Sequence, residues 1–378
     1  MKHLILFLAS LACFNTIKAQ NPVSRIDTGI IQGAHYKILF PPGWKGKLVM
    51  YAHGYEFMGT LPRQSHNPGF EKTVAPFLER GFAVAASDYS IQGYALPQGV
   101  KETEQLRQYF VKKYGKPDTT FITGHSMGGG ITVATIENFG RNYNGGFPMC
   151  PLSSRPYIQV RKEFDLIASF NALFPGLMPS LSEIFSPGNR GKGKSVVSMP
   201  QAMGRISVLQ KEIVKKDSLL AVSFANHYSL KLSDLPFALL FGEFVLRDIS
   251  EKSNGNPFDN TNTLYSGFPD NWEINKNVER LASTSEPEII FGEFDRTGDI
   301  NVPVLLMHTT YDQLIPAIYG EVNFENMVEK HDKMKFLTVK YTNGQGHCSF
   351  TPAQTGVAFD ELRAWAASGR KAQAGFIK

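Results

Sequence analysis

The stretch FITGHSMGGG, residues 121–130, decides the fold class that we predict for this chain. Its apolar start, 121–123, is typical of the end of a buried strand, and the apolar run 131–136 predicts a helix. Residues 124–128 fit the pattern G-x-S-x-G, a sharp strand-to-helix turn that holds a serine hydroxyl above the edge of a sheet. We therefore predict that Ser126 is a nucleophile. A glycine-rich turn without chemistry is the alternative, because a chain with 34 glycines can contain this pattern by chance.

Strands and helices alternate on both sides of that turn. Apolar and β-branched runs predict strands at 35–40, 47–52, 82–89, 119–123, 145–150, 302–310 and 335–341. Amphipathic runs predict helices at 70–81, 100–115, 131–139, 317–330 and 352–368. This alternation predicts an α/β fold with a mostly parallel sheet and helices on both faces.

The alternation is interrupted between residues 151 and 301. Helical stretches at 201–217 and 233–250 are joined there by polar loops rich in proline and glycine. We predict a core formed by residues 20–150 and 302–378, with residues 151–301 inserted as a large, mainly helical cap.

The first residues predict export from the cell. Lys2 precedes an apolar run too short to span a bilayer, and Ile17-Lys18-Ala19 offers a cleavage site. We predict a signal peptide at 1–19 and a secreted or periplasmic protein; a buried first strand is one alternative. Lipid anchoring through Cys13 is disfavoured, because Ser10 stands where such sites usually carry leucine.

Composition excludes several classes of function. The net charge of +5 is modest and no long run of Lys or Arg is present, which argues against nucleic acid as a partner. No later run is apolar enough to span a membrane. The chain has no H-E-x-x-H, C-x-x-C or phosphate-binding glycine loop, so we predict neither a metal nor a cofactor. The oligomeric state stays open.

A serine nucleophile needs a base and an acid. His347 lies in a glycine-bearing loop after the last strand of the alternation, where catalytic groups of parallel sheets collect. Asp312 follows another buried strand, which gives the chain order Ser126, Asp312, His347. Asp295 and Asp299 compete for the role of the acid, but both precede that strand and should lie at its other end.

The oxyanion that forms during acyl transfer needs two donors. The N–H of Met127, the residue after the nucleophile, is the first. The N–H of Tyr55, in the loop after an early strand, is our choice for the second, with Gly54 less favoured. We interpret His53 and His125 as structural residues rather than bases.

The motifs YAHGY, FAVAASDYSIQGYA, TGHSMGGG, FPMC, NPFDNTNTLYSG, VLLMHTTYDQLIP and GHCSF together resemble the α/β-hydrolase superfamily. The resemblance is strongest to exported bacterial hydrolases with a large cap, which are esterase-like or prolyl-oligopeptidase-like. It implies the α/β-hydrolase fold and a serine hydrolase with a Ser-His-Asp triad at Ser126, Asp312 and His347.

We predict a carboxylic-ester hydrolase acting on a small-molecule or oligomeric ester. An exopeptidase of the prolyl-oligopeptidase kind is the first alternative, with carboxylates available at 251–256 and 287–295 to hold a substrate amine. A non-catalytic binding protein on the same fold is the second.

Two further features bear on the site. Cys150 and Cys348 should both lie near the carboxyl edge of the sheet, and export permits a disulfide between them. The cap is rich in aromatic residues, either as its own core or as an apolar pocket for the substrate. The candidates that we name for substrate binding are Phe241, Phe244, Tyr265 and Trp272.

Overall fold

The computed structural model describes residues 23–189 and 199–377, so the predicted signal peptide lies outside the described residues. Nine strands of this part of the chain form one sheet with the order β1-β2-β4-β3-β5-β6-β7-β8-β9. They are β1 Arg25–Ile31, β2 Ala34–Phe40, β3 Lys47–Ala52, β4 Ala83–Ser87, β5 Thr119–His125, β6 Gly145–Met149, β7 Val304–Tyr311, β8 Leu337–Gln345 and β9 Gly375–Phe376.

Strands β3 to β9 run parallel to one another, and β2 pairs antiparallel with both β1 and β4. The sheet is therefore mostly parallel, as predicted. Two strands were not predicted: β1, whose residues are exposed or half-buried, and β9, which has only two residues. Both lie at the edges of the sheet, where a strand needs only one paired neighbour.

Helices cover both faces of the sheet, which confirms the predicted α/β-hydrolase fold. The flanking helices are α1 Phe70–Leu78, α2 Leu96–Tyr114, α3 Met127–Phe139, α10 Glu321–Lys330 and α11 Pro352–Ser368. Phe77 of α1 and Phe359 of α11 belong to the apolar core on one face. Phe110 of α2, Ile136 of α3 and Phe324 of α10 belong to the core on the other.

Between β6 and β7 the described residues form helices and loops. The helices are α4 Pro156–Leu173, α5 Leu181–Phe185, α6 Met199–His227, α7 Leu235–Lys252, α8 Asn271–Asn277 and α9 Glu288–Phe291. One apolar cluster joins Met127 and Ile131 of α3 to Phe164 of α4 and Leu239 of α7. The helical insertion is thus packed directly on the helix that follows Ser126.

None of the helices within the described ranges has the length and apolar character that crossing a membrane requires.

The start of α3 packs so closely against the end of β3 that no side chain fits between the two backbones. A Cβ atom on Gly128 would lie 2.0 Å from the carbonyl oxygen of Ala52, and one on Gly124 would lie 2.3 Å from the same oxygen. Both distances are far inside van der Waals contact, and the obstacle is main chain, which no side-chain rotation relieves. These two glycines therefore let the helix, the central strand β5 and β3 meet.

We predict that Gly128→Ala lowers the free energy of unfolding by at least about 2 kcal/mol, because the added methyl group forces the backbones apart. Urea denaturation of the purified variant measures the change. Gly204→Ala is the matched control: Gly204 lies on α6 with no atom within 4 Å of a Cβ position. It should be neutral or stabilise by about 0.5–1 kcal/mol. Equal stability of the two variants would contradict the close approach at Gly128.

Candidate active site

Ser126 occupies the turn between β5 and α3 in a backbone conformation that side-chain-bearing residues rarely adopt. Its φ is +59° and its ψ is −123°. Such a conformation costs about 1–3 kcal/mol and persists only when the surroundings impose it. Here the Ser126 N–H donates to the carbonyl of Met149 at 3.0 Å, and its carbonyl accepts from Gly130 and Leu152 at 3.1 Å each. The strained serine is therefore held by main-chain bonds to β6, α3 and the loop that follows β6.

Ser126 lines a cleft between the sheet and the helical insertion. The residues that line it are Tyr55, Tyr94, Ser126, Met127, Leu152, Gln159, Val160, Lys162, Glu163, Phe241, Val245, Leu314, Ile315 and Tyr319. The predicted nucleophile thus shares one cleft with both residues predicted to supply oxyanion donors, Met127 and Tyr55. Met127 opens α3, so its N–H has no acceptor within the helix and lies at the positive end of the helix dipole.

Asp312 and His347 are brought together at the same edge of the sheet. Asp312 follows β7, His347 follows β8, and His347 Nδ1–H donates to Asp312 Oδ2 at 2.7 Å. The other carboxylate oxygen accepts from the N–H groups of Leu314 and Ile315 at 2.9 and 2.8 Å. Burial alone would raise the pKa of Asp312, but the interactions with His347, the N–H of Ile315 and His308 together outweigh that and lower it. A charged Asp312 keeps the proton on Nδ1 and leaves Nε2 as an acceptor.

The His347 loop is anchored on either side of the imidazole. Its own N–H donates to Gln313 Oε1 at 2.8 Å, beside the acid. Cys348 forms a disulfide with Cys150, with Cα atoms 5.3 Å apart, and Cys348 Sγ lies 3.5 Å from His347 Nε2. The hydrogen bonds of the described residues include none between Ser126 and His347. His347 is therefore hydrogen-bonded to Asp312, and Ser126 lies in the adjoining cleft.

Asp295 and Asp299, the two alternative candidates for the acid, form ion pairs with other residues. Asp295 pairs with Arg155, with N···O distances of 2.5 and 2.7 Å. Asp299 pairs with Lys333 at 3.1 Å. Both lie before β7, and neither carboxylate has a contact with His347.

His53 and His125, the two histidines interpreted as structural, each form a hydrogen bond with a neighbouring residue. His53 donates from Nδ1 to the carbonyl of Gly54 at 2.8 Å and stacks on Tyr89 at 4.0 Å between ring centroids. Tyr51 O–H donates to His125 Nδ1 at 3.0 Å. Burial lowers the pKa of each imidazole to about 4, with the neighbouring His347 contributing at His125. Both rings are therefore neutral near pH 7, and each is engaged by its own neighbour.

Of the four aromatic residues named for substrate binding, only Phe241 lines the cleft. Phe244 packs edge-on against Phe57 at 5.6 Å between centroids. Tyr265 is buried, and its hydroxyl donates to Asp165 Oδ1 at 2.8 Å. Trp272 lies on α8 and is 79% exposed. Phe244, Tyr265 and Trp272 are not among the residues that line the cleft at Ser126, so Phe241 alone of the four candidates is placed there.

The sequence reasoning missed the polar residues of the cleft. Gln159, Lys162 and Glu163 lie on α4, a helix that was not predicted, and Gln313 was not singled out beside Asp312. The Lys162 ammonium donates to the carbonyl of Leu314 at 2.8 Å and pairs with Glu163 Oε1 at 2.9 Å. Burial raises the pKa of Glu163, and Lys162 opposes that rise. The sequence signal that could have found them is the spacing of Gln159, Lys162 and Glu163 at i, i+3 and i+4. This spacing puts the three residues on one face of a helix.

The sequence matches no protein-family model and no curated protein. Among solved structures it is similar to brefeldin A esterase, a bacterial homologue of human hormone-sensitive lipase, at 12% identity and a TM-score of 0.47. That match covers 97% of this chain and 79% of the other. Est1E from Butyrivibrio proteoclasticus is 12% identical, with a TM-score of 0.44 and coverage of 91% and 100%. An acylaminoacyl peptidase in complex with Z-Gly-Gly-Phe-chloromethyl ketone is 12% identical, with a TM-score of 0.45 and coverage of 93% and 42%.

We predict that reducing the Cys150–Cys348 disulfide lowers both stability and turnover, because Cys348 adjoins His347. The bond spans 198 positions of sequence, and the chain-entropy model gives about 5 kcal/mol as an upper figure for a loop of that length. Thermal unfolding with and without reductant measures the loss. Thiol titration of the denatured, unreduced protein lacking residues 1–19 should find no free thiol; two thiols per chain would contradict the bond.

Proposed function

We propose that this chain is a secreted serine hydrolase that cleaves a carboxylic ester through an acyl-enzyme, with Ser126, His347 and Asp312 as its triad. The observation that carries the proposal is a serine held at φ +59° in a strand-to-helix turn that opens on a cleft. An imidazole oriented by a buried carboxylate at the same sheet edge supports it. A serine exposed on a strained strand-to-helix turn is typical of a nucleophile, and an oriented base is what activates one.

The proposed reaction has two steps, the acylation of Ser126 and the hydrolysis of the acyl-enzyme. Ser126 Oγ attacks the acyl carbon while His347 Nε2, the ring nitrogen that is not bonded to Asp312, takes the hydroxyl proton. The same proton passes to the departing alkoxide, which leaves as the alcohol. Water then attacks the acyl-enzyme, with His347 as base, and releases the acid and Ser126. Asp312 holds the tautomer and stabilises the imidazolium throughout. The bond between Ser126 and His347 forms in the substrate complex, since such bonds tighten on binding.

The negative charge on the tetrahedral intermediate needs donors that are in place beforehand. The N–H groups of Met127 and Tyr55 are our candidates, because both residues line the cleft beside Ser126. Gly54 supports this arrangement by its lack of a side chain: a Cβ there would lie only 3.2 Å from the carbonyl oxygen of His125, the residue before Ser126. Loss of one such donor typically costs about 3 kcal/mol of barrier.

Secretion is part of the proposal. A signal peptide at 1–19 would direct export, and the Cys150–Cys348 disulfide is of the kind that persists in oxidising compartments.

Replacing the nucleophile tests the proposal directly. Ser126→Ala should reduce ester turnover to below a few per cent of the wild-type rate, since Ser126 is the only serine, threonine or cysteine among the described residues that line the cleft. A fluorophosphonate probe should label the wild-type protein and leave the variant unlabelled. Comparing an aryl acetate with a dipeptide anilide separates an esterase from an exopeptidase. Retained turnover in Ser126→Ala, or no turnover of either substrate by the wild type, would refute the assignment.

A matched pair of variants tests the choice of Asp312 as the acid. Asp312→Asn should lower kcat by about four orders of magnitude, because an amide favours the wrong histidine tautomer. Asp295→Asn, which alters the rejected competitor, should stay within about twofold of wild type. Steady-state kinetics on one aryl ester measure both. The reverse pattern would show that we have chosen the wrong carboxylate.

A further inference from the structure

Three side chains that can bind a metal ion converge at the candidate base. Among the described residues, Cys150, His347 and Cys348 each place one potential ligand atom within 4.8 Å of the other two. Cys348 Sγ lies 3.5 Å from His347 Nε2. A nitrogen and a sulfur bound to one tetrahedral Zn²⁺ are separated by about 3.5 Å, given bond lengths of about 2.1 and 2.3 Å. The imidazole therefore already lies at the distance from Cys348 Sγ that a shared zinc ion requires.

The two sulfurs become metal ligands only when the disulfide is reduced, because metals bind the thiolate. Two electrons and two protons convert the disulfide into two thiols. Main-chain bonds to β7 hold both cysteine loops independently of the disulfide. Cys150 N–H donates to the carbonyl of Met307 at 2.8 Å, and Gly346 N–H, two residues before Cys348, donates to the carbonyl of Tyr311 at 2.9 Å. The thiols therefore stay neighbours after reduction, and rotation about each Cα–Cβ bond lets the sulfurs separate.

The imidazole is already oriented as a metal ligand. His347 Nδ1–H donates to Asp312 Oδ2 at 2.7 Å, which leaves a lone pair on Nε2, the nitrogen near Cys348 Sγ. Histidine ligands of zinc usually donate their other N–H to a carboxylate or carbonyl oxygen, which fixes the tautomer and raises the basicity of the ligand. The hydrogen bond that orients a general base therefore also orients a zinc ligand.

The donor set favours one ion. Two thiolates and an imidazole bind Zn²⁺ well, whereas Mg²⁺ and Ca²⁺ prefer oxygen ligands. Three protein ligands leave the fourth position of a tetrahedral zinc ion to water. His347 and Cys348 are half-buried, so water and the ion can reach this side of the cluster. No short sequence motif marks the set, since 198 positions separate the two cysteines.

We propose that reduction of the Cys150–Cys348 disulfide creates a zinc site, in which both thiolates and His347 Nε2 bind one Zn²⁺. Formation of the site releases the two thiol protons. An Nε2 atom bonded to zinc cannot take the proton of Ser126, so the ion switches hydrolysis off. This loss of activity rests on the proposed function, whereas metal binding does not. The oxidised protein is the active form, and the reduced, zinc-loaded protein is the inactive one.

Absorption spectra with Co²⁺ in place of Zn²⁺ test the ligands directly. A phosphine reduces the purified protein: the phosphine gains oxygen from water and becomes the phosphine oxide, while the disulfide becomes two thiols. Co²⁺ is then added in the absence of oxygen. We expect a thiolate-to-cobalt charge-transfer band and the visible bands of a tetrahedral cobalt ion, all removed by one equivalent of Zn²⁺. The unreduced protein should show none of these bands.

The double variant Cys150→Ala/Cys348→Ala is the matched control, because it lacks the disulfide, as the reduced protein does, but has no thiol at the site. It retains Cys13, so metal bound by that thiol appears in the control as well. Asp312→Asn should weaken zinc binding by the reduced protein about 10–100-fold, as loss of a partner of a histidine ligand typically does. Absence of the cobalt bands from the reduced wild type, or equal bands in the double variant, would overturn the proposal.

Turnover of an aryl ester tests the switch. In the reduced wild type, Zn²⁺ should lower kcat at least about 100-fold relative to the same protein with a chelator, because a general base contributes that much. Added chelator should restore the rate, leaving only the loss that reduction itself causes. Zinc should not change the rate of the double variant. Cobalt bands without a loss of turnover would show that the metal does not hold Nε2, and would refute the switch.

Thermal unfolding separates the zinc site from the proposed function. Zn²⁺ should raise the Tm of the reduced wild type by several degrees, since it binds the folded form, and should leave the Tm of the double variant unchanged. If the wild type hydrolyses no ester, the proposed function fails, and the cobalt spectra and the Tm still decide the metal site. A reduced protein that zinc does not stabilise would overturn the proposal.

Discussion

The main-chain contact between β3 and the turn at Ser126 is the constraint on which the site depends. With Gly124 and Gly128 in place, the carbonyl of Ala52 reaches the turn, and α3 begins directly against the end of β3. That geometry holds Ser126 at a positive φ, which a more open turn would relax. It also puts the loop that carries Tyr55 beside Met127, so one contact determines the positions of the serine and of both candidate donors.

The other residues of the site are held by short, local contacts at the same edge of the sheet. Asp312 is fixed by two main-chain N–H groups just after it, and His347 by Asp312 and Gln313. The short side chain of Asp312 loses little conformational entropy in forming its bonds, whereas the longer side chain of Gln313 loses more. The disulfide at Cys348 adds a covalent tie to the end of β6. Rigid strands and short anchors are what a preorganised site needs.

The helical insertion contributes amide and charged side chains to the cleft. The sheet edge supplies Ser126, Asp312 and His347, whereas α4 supplies the unpaired amide of Gln159 and the Lys162–Glu163 pair. Lys162 also donates to the carbonyl of Leu314, two residues after Asp312, and so ties the helix to the loop of the acid. The cleft is therefore lined both by residues from the edge of the sheet and by residues from the helical insertion.

Local sequence patterns determined the elements of the core. Strand β3 and helix α11 have the predicted bounds, 47–52 and 352–368, because alternation, capping residues and apolar periodicity act over a few neighbouring residues. The serine turn and the chain order of Ser126, Asp312 and His347 are readable for the same reason, although their catalytic roles stay a proposal.

Only tertiary structure decided what the cleft contains. Helix α4 escaped prediction because it is buried on most sides, including its polar residues, and so lacks the contrast between two faces that periodicity detects. Tyr265 and Trp272 are equally aromatic, yet one is buried on Asp165 and the other is exposed. Which side chain reaches Ser126 is set by helices that pack together from distant parts of the chain, and no short window of sequence contains that information.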